Sequence, residues 1–190
     1  RQLETSTQAD LIRLLAMVAS RAIIGARGTV AGWRDPLGRE ERHTLPEGRV
    51  VAWTWMGSAD GVPAIMLRGF PMGYLLPQEA EQKLKAAGVK LYALSRPGYG
   101  NSTLHTDLPV LEDNLAALRF CLVKIARGPV VGIGMSNGVV PLLAEQQANP
   151  ARFRALIAIG YTGVFDRSGM SRLQMIQKTM MRMTGYAPWL

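Results

Sequence analysis

The sequence predicts an α/β domain in which a mostly parallel β-sheet carries helices on both faces. Apolar runs of strand length alternate with amphipathic helical segments from residue 49 to residue 160. These runs are apolar without interruption, as is typical of strands buried on both faces. The composition, with 48% hydrophobic and 19% charged residues, fits a globular domain. A chain of 190 residues is long enough for one such domain with a full core.

Strands and helices are expected in regular alternation. A short strand containing His43 precedes five apolar runs, which are RVVAWTWMG (49–57), PAIMLRG (63–69), VKLYALS (89–95), PVVGIGM (129–135) and FRALIAIG (153–160). The turn-like SADG between the first two runs predicts an antiparallel hairpin at the sheet edge. Helices are predicted at 75–88, 108–126 and 137–147. The second should present one apolar face, made of Leu108, Leu111, Leu115, Leu118, Leu122 and Ile125.

The stretch GIGMSNGVV, residues 132–140, holds the most informative motif. Gly134-x-Ser136-x-Gly138 lies where a predicted strand gives way to a helix. A serine on such a turn is forced towards positive φ and projects its hydroxyl above the sheet, and larger residues in place of the two glycines would collide with neighbouring backbone. Ser136 is therefore the candidate nucleophile. A dinucleotide-binding loop is disfavoured because its third glycine would have to stand at Asn137, and because the motif follows a late strand.

Acyl transfer at a serine also requires donors for the oxyanion. The backbone N–H of Asn137 follows the nucleophile and supplies one donor. The second should come from the loop after an earlier strand, and Phe70, just after Gly69 in RGFPMG, is the candidate.

Ordered motifs resemble the α/β-hydrolase fold family. LPEGRVVAWTWMGSADGVPAIMLRGFP, SRPGYGNS and GMSNG follow one another as the family's LPDGxxLAY, HGFP, DRPGYGxS and GxSxG segments do, over about residues 40 to 165. The resemblance implies an eight-stranded sheet with the nucleophile after the fifth strand. Arg68 stands where the family usually has histidine, and Ser95 where it usually has aspartate. Those usual residues brace the oxyanion loop and the turn after the fourth strand.

The family's catalytic histidine has no counterpart after Ser136. The family order is Ser, then Asp or Glu, then His, whereas His43 and His105 both precede Ser136. We therefore expect this chain to be the N-terminal part of the domain, residues 39–190, with a lid beginning near residue 167 and the histidine beyond Leu190. Asp166, just past the sixth predicted strand, is a candidate acid, although a solvated turn residue is the simpler interpretation.

The N-terminal segment has a separate resemblance. An amphipathic helix is predicted from residue 6 to residue 24, and RQLETSTQADLIRLLA is similar to the end of a LuxR-type helix-turn-helix domain, which commonly reads xKLGVxSRxELVxL. Residues 1–26 would then close a DNA-binding domain, and residues 27–38 would be a linker. The alternative is a helix packed on the hydrolase core.

Composition excludes several other classes of function. Cys121 is the only cysteine, so disulfides and cysteine-based metal sites are excluded, and no motif indicates a metal or another cofactor. No apolar run could cross a membrane, so no membrane partner and a cytoplasmic location are expected. The net charge of +8 permits a nucleic-acid partner without requiring one.

Two functions follow, and they can coexist in one protein. The first is a serine hydrolase acting on a small-molecule acyl substrate of the ester or amide type. The alternative is a transcriptional regulator in which a hydrolase-like domain senses a small-molecule ligand and a helix-turn-helix binds DNA. A non-catalytic interaction module is weaker, because such a module does not need a strained serine turn.

Overall fold

The computed structural model describes residues 38–69, 80–105 and 107–161. The chain divides into two compact units, Arg1–Gly160 and Tyr161–Leu190, and the elements below lie in the first. The predicted N-terminal helix, the linker as far as residue 37 and the predicted lid lie outside the described residues, as do Phe70 and Asp166.

The described residues form one six-stranded sheet with the order β1-β2-β4-β3-β5-β6. Its strands are β1 (Glu41–Thr44), β2 (Val50–Gly57), β3 (Val62–Leu67), β4 (Val89–Leu94), β5 (Val130–Met135) and β6 (Phe153–Ile159). β2 is antiparallel to β1 and β4, whereas β3, β4, β5 and β6 are parallel to one another. The predicted α/β class with a mostly parallel sheet is confirmed.

A helix lies in each parallel crossover, as parallel pairing requires. These helices are α1 (Ala80–Ala86), α2 (Val110–Phe120) and α3 (Val139–Ala148). The last turn of the predicted second helix is a π-helical segment, Cys121–Ile125. Because β3 to β6 are parallel, their carboxyl ends lie at one edge of the sheet.

The predicted hairpin between β2 and β3 is wrong, because β4 lies between these two strands. The turn that joins them bonds to the start of β4 instead of closing a hairpin. Ser58 N–H donates to Val89 O at 2.8 Å, and Val62 N–H donates to Gly88 O at 2.7 Å. The antiparallel hairpin at the edge is formed by β1 and β2, with Glu41 opposite Trp53 and Thr44 opposite Val50.

Alternate residues of the strands fill two core layers, one on each face of the sheet. The layer under α1 contains Met56, Met66, Leu84, Leu91 and Ile133. The layer under α2 and α3 contains Trp53, Ile65, Tyr92, Leu118 and Leu142. Burial of both faces explains why the strands are apolar at nearly every position.

The apolar face predicted for the second helix is only partly correct. Leu118 and Leu122 are buried, but Leu108 and Leu111 are exposed, and Asp113 and Asn114 are buried in their place, among other residues. Asp113 forms a salt bridge with the buried Arg49, and its Oδ2 accepts from His105 N–H at 3.0 Å. Polar partners distant in sequence thus determine how the first turns of α2 are oriented.

A buried carboxylate fixes α3, the helix that begins directly after the predicted serine turn. Glu145 is fully buried, and its oxygens accept from Arg119 Nε at 2.7 Å and from Asn149 Nδ2 at 2.9 Å. Arg152 Nε lies 3.3 Å from the same carboxylate. Because Arg119 belongs to α2, this network ties α2 to the second half of α3.

A second carboxylate ties α1 to the sheet. Glu81 accepts from Gly57 N–H at 2.8 Å and pairs with Arg39 and Lys85, each at 3.0 Å. Burial on its own would raise the pKa of Glu81, but these donors outweigh burial, so its pKa lies below the usual value. In the described part of the chain, no helix is long and apolar enough to cross a membrane.

Candidate active site

Ser136 occupies a strained turn between β5 and α3. β5 ends at Met135, residues Ser136–Gly138 form a single 3-10 turn, and α3 begins at Val139. Ser136 has φ of 50°, as the motif predicts. A non-glycine residue in this region carries strain of about 1–3 kcal/mol, and such strain is concentrated at functional sites. Met135 is buried whereas Ser136 is exposed, so the turn presents the serine to solvent.

Gly134 and Gly138 allow this turn because a side chain at either position would collide with backbone. A Cβ on Gly134 would lie 2.6 Å from Val139 Cα, and a Cβ on Gly138 would lie 2.4 Å from Leu67 O. Both separations are far below van der Waals contact. The two glycines therefore let α3 begin close to β5 and to the end of β3.

Replacement of Gly138 by alanine is expected to destabilise the fold by about 1–3 kcal/mol. Gly138 has helical φ and ψ of −68° and −14°, so alanine would stabilise it by up to about 1 kcal/mol in open space. The 2.4 Å approach to the backbone oxygen of Leu67 reverses that sign, since this oxygen cannot move aside. Urea unfolding measures the change. Val140→Ala, at an exposed site on α3, should shift stability by less than about 0.5 kcal/mol, and wild-type stability of Gly138→Ala would contradict the steric argument.

Gly69, two residues after the end of β3, lies directly against the serine turn. A Cβ on Gly69 would lie 2.7 Å from Ser136 Cβ and 3.2 Å from Asn137 Oδ1. Glycine at 69 is thus required for the close approach of the two segments. Asn137 directly follows the serine, within the 3-10 turn that precedes α3. Phe70 lies outside the described residues, so its role as the second oxyanion donor stays a prediction.

Both departures from the family pattern lie at carboxyl ends of strands. Arg68, next to Gly69, is buried, and burial lowers its pKa to about 10, so the guanidinium stays charged at neutral pH. Ser95 is fully buried, and its hydroxyl donates to Tyr99 O at 2.6 Å. Ser95 O accepts from Ser102 Oγ at 2.7 Å, and that hydroxyl accepts from Ala52 N–H at 2.9 Å. Serine therefore braces the turn after β4 through neutral hydrogen bonds.

Neither histidine is joined to Ser136 by a hydrogen bond in the part of the chain that the structure describes. His43, on β1, stacks on Phe120 with a centroid distance of 4.5 Å. His105 follows β4, and its Nδ1 accepts from Asp107 N–H at 3.3 Å. Asp166 lies outside the described residues. The described residues thus bring together the serine, the start of α3 and the loop after β3, but no base.

Other reactive groups do not add to this site. Burial raises the pKa of the Cys121 thiol well above its usual value, so the thiol is unreactive in the folded protein. Across 38–69, 80–105 and 107–161, no cluster of three or more His, Cys, Asp or Glu side chains could hold a metal ion. The serine turn is therefore the feature of the described residues best suited to nucleophilic chemistry.

Comparison with solved structures assigns the fold. A thioesterase domain from the curacin biosynthetic pathway is similar to this chain with a TM-score of 0.61 and 17% identity, over 77% of this chain and 54% of that one. Mouse alpha/beta hydrolase domain-containing protein 10 matches with a TM-score of 0.58 and 19% identity, over 77% and 59%. An epoxide hydrolase from Vigna radiata matches with a TM-score of 0.53 and 16% identity, over 66% and 39%.

The chain has the α/β-hydrolase fold and spans little more than half the length of the first two solved chains. No family model matches the sequence. No curated protein matches it either. At these identities the likeness shows the fold, whereas chemistry has to be argued from the site.

Proposed function

We propose that the chain carries the nucleophile of a serine hydrolase that acts on an ester- or amide-type acyl substrate. One observation carries the proposal, namely the exposed Ser136 with φ of 50° on the turn between β5 and α3. Backbone strain at this residue costs free energy. Such strain is found mainly where the position of the side chain matters for function. Hydrolase neighbours support the choice of reaction class, since their fold is shared.

The reaction begins with attack of Ser136 Oγ on the acyl carbon of the substrate. The proton of the hydroxyl passes to a base, and the bond to the alcohol or amine breaks with transfer of a proton to that leaving group. Water then hydrolyses the acyl-enzyme and regenerates the serine. The oxyanion of each tetrahedral intermediate is stabilised by the N–H groups of Asn137 and Phe70. The close packing of Gly69 on Ser136 supports this pairing, because Gly69 directly precedes Phe70 in the sequence.

The proposal includes a base supplied from residues beyond Leu190. His43 stacks on Phe120, and Nδ1 of His105 accepts a backbone hydrogen bond, so each has a local structural role. An unassisted serine hydroxyl is a poor nucleophile at neutral pH. Asp166 is the acid proposed to orient that base, because it follows β6 by a few residues.

Active-site labelling tests the proposal. A fluorophosphonate should modify the full-length gene product once, at Ser136, and Ser136→Ala should prevent the modification. The 190-residue chain should react far more slowly because it lacks the base. Intact mass and peptide mapping measure both. Absence of a Ser136 adduct in the full-length protein would refute the nucleophile, and fast labelling of the 190-residue chain would refute a base beyond Leu190.

A regulator is the second proposed function, and the N-terminal sequence favours it. Residues 1–16 are similar to the end of a LuxR-type helix-turn-helix, and a cytoplasmic location belongs to the same proposal. A protein of this kind would read DNA with a recognition helix upstream of Arg1, so the present chain should bind duplex DNA weakly and without sequence preference. Full-length protein should bind a defined operator with affinity that falls steeply as salt rises. Gel-shift titrations of both proteins measure this, and no DNA binding by full-length protein at low salt would contradict the regulator.

A further inference from the structure

A cavity of about 950 Å³ lies on the α2 face of the sheet, away from the serine turn. Its walls are the edge strand β1, the neighbouring strand β2, the starts of β3 and β4, and the π-helical segment with the residues that follow it. Gly61, Pro63 and Lys90 mark the amino ends of β3 and β4. Ser136 follows the carboxyl end of β5, roughly one strand length (~20 Å) along the parallel strands. The cavity is therefore separate from the proposed active site.

Aromatic side chains form much of the wall. Trp53, Trp55, Tyr92 and Phe120 all contribute. Trp53 and Phe120 have ring centroids 5.9 Å apart with a tilt of 53°, and His43 stacks on Phe120. The rings offer apolar contact area to a planar organic ligand, and the charged side chains of the same wall can fix its orientation.

The indole N–H of Trp53 needs an acceptor. Trp53 is only 6% exposed, and its Nε1 has no hydrogen-bond partner in the described part of the chain. A buried indole N–H usually finds a partner because leaving it unpaired is unfavourable. Trp53 lines the cavity but its Nε1 has almost no exposed surface, so a ligand that supplies the missing acceptor must displace the atoms that cover it.

The charges of the wall favour an anionic acceptor. Three cations, Lys90, Lys124 and Arg127, line the cavity against two carboxylates, Glu41 and Asp60. Among the described residues, Lys124 and Arg127 form no ion pair. Lys124 belongs to the π-helical segment and Arg127 follows it, and Ala126 N–H closes the segment by donating to Cys121 O at 3.0 Å. Segments of this kind recur at ligand sites.

We propose that this cavity binds an aromatic carboxylate. The ring of the ligand packs among Trp53, Tyr92 and Phe120, and its carboxylate accepts from Trp53 Nε1–H beside Lys124 and Arg127. Charge-assisted hydrogen bonds of this kind are stronger than neutral ones, which makes the carboxylate the group that the site selects. Lys90 adds positive potential from its position over the Trp55 and Tyr92 rings, at 4.7 and 5.4 Å.

Calorimetric titration of the protein with 2-naphthoate, its neutral amide and 2-naphthylmethylammonium tests the proposal. Naphthoate should bind with a Kd below about 1 mM and about 10-fold more tightly than the amide, and the ammonium should bind least. Equal or tighter binding of the amide or the ammonium would overturn the carboxylate preference. Absence of heat for all three would overturn the site.

Matched variants locate the binding. Trp53→Phe keeps a ring but removes the N–H, and it should weaken naphthoate roughly 10-fold while leaving the amide less affected. Lys124→Gln removes one charge at the surface and should weaken naphthoate several-fold without disturbing the core. Lys83→Gln, the same change on exposed α1, is the control and should not alter binding. Wild-type affinity of both Trp53→Phe and Lys124→Gln would place any bound naphthoate elsewhere and refute the proposal.

Discussion

Replacement of Ser136 by alanine is expected to lower kcat for ester hydrolysis by the full-length protein by a factor on the order of 10⁶. The loss is this large because the proposed acyl-enzyme cannot form without the Ser136 hydroxyl. Stability should change by less than about 0.5 kcal/mol, since the side chain is exposed. Steady-state hydrolysis of an activated ester, together with thermal unfolding, separates loss of chemistry from loss of fold.

Two control variants sharpen this result. Ser58→Ala makes the same chemical change in the β2–β3 turn, at the opposite edge of the sheet, and should retain the full rate. In the 190-residue chain, Ser136→Cys should place a reactive thiol on the turn, which a thiol reagent will report without background because the only other cysteine, Cys121, is buried. A Ser136→Ala variant that keeps a tenth or more of the wild-type rate would show that Ser136 is not the nucleophile.

Local steric rules explain why the serine turn could be predicted from sequence. The positive φ of Ser136 and the need for Gly134 and Gly138 arise within a few residues, where a strand meets a helix. The approach of Gly69 to Ser136 joins segments 67 residues apart in number, which the sequence indicated only through the order of its motifs. The alternation of strands and helices could also be predicted, because each strand is a short apolar run and each helix has its own amphipathic pattern.

Features that depend on partners distant in sequence could not be predicted. The hairpin between β2 and β3 was wrong because β4, which comes later in the chain, inserts between them. The aromatic cavity was also missed, since Trp53, Tyr92 and Phe120 come from two strands and a helix. The sequence contains these aromatic residues, but only the order of the strands in the sheet places them on one wall of the cavity.

The same limit applies to α2, and it leads to a prediction about stability. The spacing of its leucines suggested an apolar face that includes Leu108 and Leu111, yet these two are exposed whereas Asp113 is buried. Asp113→Ala is expected to lower the free energy of unfolding by about 3–5 kcal/mol, because it leaves Arg49 buried without this counter-charge. Glu47, which accepts from Arg49 Nε at 2.8 Å, should keep the loss near the lower end of that range. Urea unfolding measures this loss, and an unchanged m-value would show that only stability has changed.

Variants of the partner show which part of the loss comes from an unpaired charge. Arg49→Met leaves the buried Asp113 carboxylate without its counter-charge and with the His105 N–H as a remaining donor. It should therefore lower the free energy of unfolding at least as much as Asp113→Ala does. The double variant Arg49→Met/Asp113→Leu removes both charges and should recover most of the stability, although His105 N–H then loses its acceptor. Glu112→Ala, the neighbouring exposed acid on α2, should cost less than about 1 kcal/mol. If Asp113→Ala also costs less than about 1 kcal/mol, or the double variant is no better than the singles, the buried pair does not orient α2.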